Sequence, residues 1–397
     1  MLFIGGGKVL KEQSKGFWKR GTTYEKVLTA CVCTVLCTIV FLISALAAAV
    51  GGFEELKYLA KFVGVMGVVE RTYIGEADLE TVTDAGFRAM IQTLGDRWSY
   101  YMTAEEYERY KEQSTNHYTG IGITLQSMED GRLVIAEVVE DSPAAQAGLA
   151  VGMELTALDG EPVQGKTPQE LSTAIREKEG TFILTALDAQ GNSGEYSLSL
   201  GEIYHNPVEY RMLDGQIGYI HLRNFDENCD DEAEKALDAL LEQGAVGLIF
   251  DVRNNGGGYV TELTKLLDRL LPEGEIFVSV DEKGKEKVTT SDADCVDLPM
   301  AVLVNENTYS AAEFFAAALR EYDAAVVVGD ATTGKGRSQI NVPLVDGSAV
   351  HISSRRYLTP NRVDLSEQGG IVPDIALPMG EEDDQLAAAL EFVLTQG

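Results

Sequence analysis

The chain contains 397 residues, 45% of them hydrophobic, which is enough for two or three folded domains. Its formal net charge is −31, but residues 1–27 carry +4, so the remainder carries about −35. Phosphate backbones and anionic lipid surfaces repel a body this acidic, which argues against a nucleic-acid-binding protein and against a peripheral protein that binds acidic lipids.

An apolar segment follows the basic tail of residues 1–27. Residues 28–50 contain no charged side chain, and a helix of this length spans about 34 Å, enough to cross a bilayer. The basic flank predicts a cytoplasmic N-terminus and an exported body. A signal peptide cleaved at the alanines of positions 47–49 is the alternative, but its apolar core is usually only about 7–15 residues long. We therefore predict an uncleaved single-pass anchor in the cell membrane.

The cysteines do not form a disulfide framework. Three of the five lie inside the apolar segment, which leaves Cys229 and Cys295 for the body. We expect two separate thiols.

The body divides into three regions by pattern. Residues 53–115 carry apolar side chains at helical spacing, with a break at 95–101. Residues 116–202 contain short β segments, turn signals, a one-turn helix that starts at Pro143, and an amphipathic helix from Pro168 to Lys178. From residue 203 to the end, apolar strands alternate with helices, which predicts an α/β layer domain.

Ser310 lies where the apolar strand Met300–Val304 gives way to a helix that starts at Ala311. Serine is a good helix N-cap, which is the ordinary interpretation. The alternative is a nucleophile at a helix N-terminus, where the dipole and free backbone amides favour an oxyanion.

Lys335 lies between two glycines, with Gln339 four residues later. A lysine that acts as a base must be neutral near pH 7, and burial can lower its pKa by about 3–5 units. Gln339 could orient the amine without adding negative charge. A solvated loop lysine is the ordinary interpretation. A phosphate-binding loop at 329–335 is another, but Gly336 replaces the required serine or threonine and a strand follows instead of a helix.

A third glycine loop, Asp251–Gly258, follows a very apolar strand. It is either a tight strand-to-helix turn or a source of amides for half an oxyanion hole.

Taken in order, these motifs resemble the carboxy-terminal processing (tail-specific) serine peptidases. The resemblance runs from about Val69 to the end and includes Leu94–Tyr101, the peptidase motifs above and Gly370–Asp374. Thr119–Ile123, Ser142–Leu149 and Leu158–Gly160 resemble a PDZ domain. The implied fold is an α/β peptidase core, a mixed sheet with helices, over residues 203–397 with a contribution from 53–115. A β-rich PDZ domain covers residues 116–202, and a helical segment and one transmembrane helix precede it.

The resemblance implies a role for each matching position. Ser310 would be the nucleophile, Lys335 the general base and Gln339 the residue that orients the lysine. The backbone amides of Gly257 and Ala311 would bind the oxyanion. Three departures, Arg97, Met153 and Ala312, lie at positions where the family usually carries other residues, and none of them touches these groups.

In the PDZ-like region, the residues that would bind a peptide are Gly120, Ile121, Gly122 and Ile123. Their backbone amides can capture a terminal carboxylate, and the strand that follows can pair with an extended peptide. The alternative is a β domain without a ligand.

The sequence therefore predicts a membrane-anchored, extracytoplasmic serine endopeptidase that binds protein substrates by apolar C-terminal tails. We expect no cofactor, no metal and no nucleic-acid partner. The resemblance also implies dimerisation through residues 53–115, although their apolar face could equally pack on the core. Two other functions stay open: a catalytically silent PDZ scaffold, and a Ser/His/Asp hydrolase whose base is His117, His205, His221 or His351.

Overall fold

The computed structural model describes residues 23–49, 51–128, 130–380 and 383–396. Most of the basic tail predicted at 1–27 lies outside these residues. The chain forms two compact units, one up to Phe87 and one from Arg88 onward.

The first unit is helical. It contains α1 (Thr23–Ala49), α2 (Phe53–Thr72) and most of α3 (Leu79–Gln92). The part of α1 from Glu25 to Ala48 has a mean hydropathy of 2.6 and is long and apolar enough to cross a membrane, a property that signal sequences share. The described side chains of α2 and α3 are not buried, and Phe62 stacks on Phe87 with ring centres 5.7 Å apart.

Over its described residues, the second unit contains nineteen strands and the remaining helices. The strands are β1 (Tyr100–Met102), β2 (His117–Gly120), β3 (Ile123–Ser127), β4 (Leu133–Val138), β5 (Glu154–Leu158), β6 (Glu161–Pro162), β7 (Thr181–Leu187), β8 (Ser193–Ser199), β9 (Gly201–Tyr204), β10 (Val208–Leu213), β11 (Ile217–Leu222), β12 (Gly247–Asp251), β13 (Gly274–Val280), β14 (Glu286–Ser291), β15 (Met300–Val304), β16 (Ala325–Gly329), β17 (Arg337–Pro343), β18 (Ala349–Leu358) and β19 (Ile375–Ala376). The helices are α4 (Ala104–Ser114), α5 (Pro143–Ala147), α6 (Pro168–Arg176), α7 (Cys229–Glu242), α8 (Val260–Leu270), α9 (Ala311–Glu321), α10 (Leu365–Gln368) and α11 (Asp384–Gln396).

A β-rich domain begins at β2. Strands β3, β4, β5, β7 and β8 form an antiparallel sheet in that order, and β2 pairs with β9. The one-turn helix α5 is capped by Ser142, whose hydroxyl accepts the Ala145 amide, and has Pro143 at its start, as the sequence predicts. Helix α6 packs on the sheet through Leu171 and Ile175.

The central sheet has the order β10-β11-β12-β15-β16-β19, and all its strands except β10 are parallel. Every residue of β12 and β15 is buried, as in parallel strands covered on both faces. Side chains along β15 alternate between the two faces of the sheet, and helices cover both faces. Val302 packs with α7, α8 and α9 on one face, whereas Ala301 and Leu303 pack with α11 on the other. The loops after β12, β15 and β16 therefore open at one edge, where ligands bind in sheets of this kind.

A second sheet has the order β1-β18-β13-β14, and β17 pairs with β18. The sequence pattern did not predict β1. Its residues lie in the break within the segment expected to be helical, and they form a strand because Tyr100 and Met102 pair with β18. Cys229 and Cys295 are free thiols.

Candidate active site

Ser310 has an unusual backbone conformation, with φ of 61° and ψ of −126°. A side chain at positive φ costs about 1–3 kcal/mol and persists only where the surroundings enforce it. Ser310 is the N-cap residue of α9 but makes no side-chain capping hydrogen bond, so the ordinary role of a serine N-cap does not explain it. Ser310 instead lines a cavity, where its side chain forms a hydrogen bond with Tyr357.

Hydrogen bonds between two loops enforce this turn. The Asn305 side chain accepts the Asn254 amide at 2.9 Å and donates to the Asn254 side chain at 2.9 Å. The Thr308 hydroxyl donates to the Val252 carbonyl at 2.8 Å, and the Tyr309 amide donates to the Asn255 carbonyl at 3.2 Å. The loop after β12 thus fixes the loop that presents Ser310.

Gly257 lies against the serine. Its φ is 93°, and a Cβ placed on it would be 2.7 Å from the Ser310 Cβ and 2.8 Å from the Ala311 nitrogen. Ala311 is the first residue of α9, so its amide has no acceptor within the helix. The Gly257 amide, however, donates to the Asn255 side chain at 2.8 Å. Gly257 and Ala311 are therefore beside Ser310, but the Gly257 amide already has an acceptor in the Asn255 side chain.

Lys335 lines the same cavity and is 8% exposed. Burial lowers its pKa to about 8; Asp96 opposes this shift and Arg97 adds to it. The amine lies 4.5 Å from the centre of the Trp98 ring and 5.8 Å from that of Tyr309. A substantial fraction of Lys335 is thus neutral near pH 8 and able to accept a proton.

Glu313 holds the lysine loop in place. Its buried carboxylate accepts the Gly334 amide at 2.8 Å, the Lys335 amide at 2.9 Å and the Thr332 hydroxyl. Burial raises its pKa, while these hydrogen bonds act in the opposite direction. Because Glu313 lies one turn of α9 after Ser310, it connects the serine turn to the lysine loop.

Tyr357 also joins the two motifs. Its phenol donates to the Lys335 carbonyl and lies against the Ser310 hydroxyl. Burial and the charge of Glu313 raise its pKa above the ordinary range, so it stays a neutral donor.

Gln339 lies in the cavity beside a bulge in β17, between Ser338 and Gln339. Its amide nitrogen donates to the Arg337 carbonyl and to the Ser353 hydroxyl, both at 3.0 Å. These bonds fix the side chain near the lysine loop. Its predicted role in orienting Lys335 stays a prediction.

His351 is the histidine that lines the cavity. Burial, followed by the charge of Lys335, lowers its pKa to about 4, which makes it a weak proton acceptor. It stacks on Tyr100 at 4.6 Å, and its Nδ1 lies 2.6 Å from the Asn341 side-chain oxygen. The other three histidines contact carboxylates of Glu202, Glu137 and Glu209.

The cavity has a volume of about 880 Å³ and brings together the loops after β12, β15 and β16. Trp98, Tyr357 and Asp226 also line it, and sequence reasoning gave them no role. Trp98 belongs to the motif Leu94–Tyr101, but nothing in the sequence indicates that this motif lies beside Lys335. Tyr357 and Asp226 carried no local signal.

The predicted peptide loop lines a separate cavity of about 480 Å³ with residues of α6, including Ser172 and Ile175. Ile121 is buried, and Gly122 has a φ of 80°. A Cβ on Gly122 would lie 2.2 Å from the Ser142 Cβ, so this position admits only glycine. Gly120 ends β2 and Ile123 begins β3, which places the four residues between two strands.

We expect Glu313→Ala to reduce peptide-bond cleavage by about 100-fold or more, since it leaves the amides of Gly334 and Lys335 without an acceptor. We also expect the free energy of unfolding to fall by about 2–4 kcal/mol. Steady-state kinetics and urea unfolding measure both effects. Glu313→Gln keeps one acceptor oxygen and should lose less on each scale; equal losses for the two variants would contradict this role.

Comparisons with known proteins match two parts of the chain. Residues 216–377 match peptidase family S41, and residues 134–185 match the PDZ domain. The chain is 28% identical over 328 residues to a probable CtpA-like serine protease of Staphylococcus epidermidis, an alignment that covers 82% of this chain and 66% of that protein. It is 28% identical over 331 residues to the carboxy-terminal processing protease CtpB of Bacillus subtilis, covering 82% and 68%.

Solved structures agree with these matches. The photosystem II D1 C-terminal processing protease is 26% identical, with a TM-score of 0.50 and coverage of 82% of this chain and 90% of that one. A putative S41 protease from Bacteroides fragilis, at 17% identity, shares the fold with a TM-score of 0.58 over 84% and 97%. The chain spans about two thirds of the length of the curated relatives it matches.

Proposed function

The chain belongs to peptidase family S41 and carries a PDZ domain, and from that premise we propose that it is a serine endopeptidase with Ser310 as nucleophile and Lys335 as general base. One observation carries the proposal. A serine held at positive φ and a buried lysine with a pKa of about 8 line one cavity. A structural role explains neither the strained serine nor the desolvated amine.

In the proposed mechanism, the neutral Lys335 amine accepts the Ser310 proton as the hydroxyl oxygen attacks the scissile carbonyl. The Ala311 amide stabilises the oxyanion, at a helix N-terminus where negative charge is favoured. The Gly257 amide joins it after exchanging its bond with Asn255 for one with the oxyanion. Lys335 then protonates the leaving amine, and water hydrolyses the acyl-enzyme. Gln339 orients the lysine.

Trp98 supports this chemistry by covering the lysine. The indole excludes water from the Lys335 amine, and burial is the main cause of the lowered pKa. Tyr357 anchors the lysine loop by donating a hydrogen bond to the Lys335 carbonyl, so the lysine amine keeps one position relative to the serine turn.

The PDZ domain is proposed to bind the apolar C-terminal tail of the substrate. The carbonyls of Ile121 and Gly122 accept the Ala144 and Val139 amides, each at 2.9 Å. In a trans peptide the carbonyl and the following amide point in opposite directions, so the Gly122 amide faces away from Ala144. That amide and the groove beside α6 support capture of a terminal carboxylate.

We expect a substrate with a free C-terminal carboxylate to be cleaved with a kcat/KM about 10-fold or more higher than the same substrate with a C-terminal amide, because a charge-assisted hydrogen bond is lost. Synthetic substrates assayed by mass spectrometry measure the ratio. Gly122→Ala should distort the loop and bring the ratio near one. Equal cleavage of both substrates by the unmodified protein would contradict tail capture.

We further propose that α1 is an uncleaved anchor with the N-terminus in the cytoplasm and the catalytic body outside. Its apolar length and the basic residues before it support this orientation. Dimerisation through residues 53–115 also stays a proposal, supported by the exposed apolar side chains of α2, such as Val63 and Val68.

A further inference from the structure

Besides the cations Arg97 and Lys335, the cavity contains a carboxyl group, that of Asp226. Asp226 follows Phe225, which is fully buried and pairs with Gly258 in an isolated parallel bridge. A Cβ on Gly258 would lie 2.7 Å from the Asp226 amide nitrogen. The preceding residue, Gly257, packs on Ser310. Contacts at two adjacent glycines therefore connect the backbone of Asp226 to the nucleophile.

Asp226 has no countercharge among the described residues. Its backbone is satisfied, because its amide donates to the Asn224 side chain at 3.0 Å and its carbonyl accepts the Cys229 amide at 3.1 Å. Its carboxyl has no ion pair in the described part of the chain, and burial raises its pKa to about 7. Burying a carboxyl in a cleft without a partner costs free energy. Such groups are typical of ligand-binding sites.

Two tyrosines line the cavity together with this carboxyl. They are Tyr110 of α4 and Tyr259, just before α8. Burial raises the pKa of Tyr110, a hydrogen bond with Asn341 acts in the opposite direction, and the charges of Tyr259 and Asp226 add to the rise. The Tyr259 amide donates to the Phe225 carbonyl at 2.7 Å, which places the backbone of Tyr259 beside that of Asp226. Tyr259 is 42% exposed, which leaves its ring open to an incoming side chain.

A carboxylate and aromatic rings that line one cavity can bind a cation. The carboxylate supplies charge and hydrogen-bond acceptors, and each ring face attracts an ammonium or guanidinium group. The cations of the cavity, Arg97 and Lys335, both lie over the Trp98 ring, and neither forms an ion pair with Asp226 in the described part of the chain.

We propose that Asp226, Tyr110 and Tyr259 form a subsite that binds a lysine or arginine side chain of the polypeptide substrate near the scissile bond. The inference rests on the proposed peptidase function. It adds a substrate class, polypeptides with a basic residue close to the cleavage site, to the recognition of an apolar tail.

The test uses the full chain in detergent and a peptide set in which each of the four residues on either side of the cleaved bond is lysine, norleucine or glutamate. At one position, lysine should exceed norleucine about tenfold or more in kcat/KM, and Asp226→Asn should bring that ratio to within about threefold. Asp226→Lys should invert the preference toward glutamate. Tyr259→Leu, at an exposed position, should lower the ratio without a change at Asp226.

Binding of the same peptides to Ser310→Ala, measured by fluorescence anisotropy, separates this inference from the proposed function. A lysine preference in binding that Asp226→Asn removes would support the subsite even if the protein cleaved no peptide, a result that would contradict only the peptidase. No lysine preference at any position, or a preference that survives Asp226→Asn and Tyr259→Leu, would overturn the subsite.

Discussion

Replacing Ser310 with alanine should abolish peptide-bond cleavage, with a loss in kcat of about 10⁴-fold or more. Alanine keeps the Cβ but removes the only atom that can form the acyl-enzyme. The turn around it should persist, because the Asn305, Thr308 and Tyr309 hydrogen bonds do not involve the serine hydroxyl. Intact-mass analysis of a protein substrate with an apolar tail measures the loss, and thermal unfolding checks that the fold is unchanged.

Ser310→Gly is the matched control for backbone strain. Glycine adopts positive φ without penalty, so this variant should be as inactive as alanine yet more stable by about 1 kcal/mol. Cleavage by either variant at more than about 1% of the original rate would contradict the assignment of the nucleophile.

Replacing Lys335 with methionine should remove activity by about 10³-fold or more and, at pH 7, stabilise the fold. The folded-state pKa of about 8 lies below the ordinary 10.5, so folding disfavours the charged amine. Below pH 8 this costs of order 3 kcal/mol. The cost diminishes as the pH rises from about 8 to 10.5, because folding then no longer buries a charge. Methionine keeps the apolar stem and carries no charge.

Urea unfolding at pH 7 and at pH 10 measures the gain in free energy of unfolding of Lys335→Met over the unmodified protein. This gain should be about 2–3 kcal/mol at pH 7 and smaller at pH 10. Lys111→Met is the control for removal of a positive charge from an acidic protein, since Lys111 lies on the surface and pairs with Glu108 at 2.7 Å. Loss of stability in Lys335→Met at pH 7, as expected for a structural lysine, would contradict a desolvated base.

The sequence predicted best those parts of the fold that a run of apolar residues marks directly. The apolar runs at β12, β15 and β16 predicted strands of an α/β layer domain, and the parallel topology of the sheet then placed the glycine, serine and lysine loops at one edge. The α/β core, the β-rich domain and the apolar N-terminal helix are confirmed. The strands β8 and β14 were missed because exposed polar residues obscure their alternation.

The rest of the site depends on long-range packing. The conformation of Ser310 follows from hydrogen bonds with a loop more than fifty residues earlier, and serine itself gives no sign of it. Trp98 reaches Lys335 only because β1 joins the sheet that contains β18. Glu313 belongs to the serine motif, but its partners Gly334 and Lys335 lie in another loop, so its role appears only in three dimensions.

The most direct test of the account is the pH dependence of covalent labelling of Ser310 by a fluorophosphonate, followed by intact-mass analysis and peptide mapping. We predict labelling at Ser310 that rises with pH around 8, is lost in Lys335→Met and persists in His351→Gln. Labelling that survives Lys335→Met but disappears in His351→Gln would contradict the lysine base, and absence of labelling in the unmodified protein across the pH range would favour a catalytically silent scaffold.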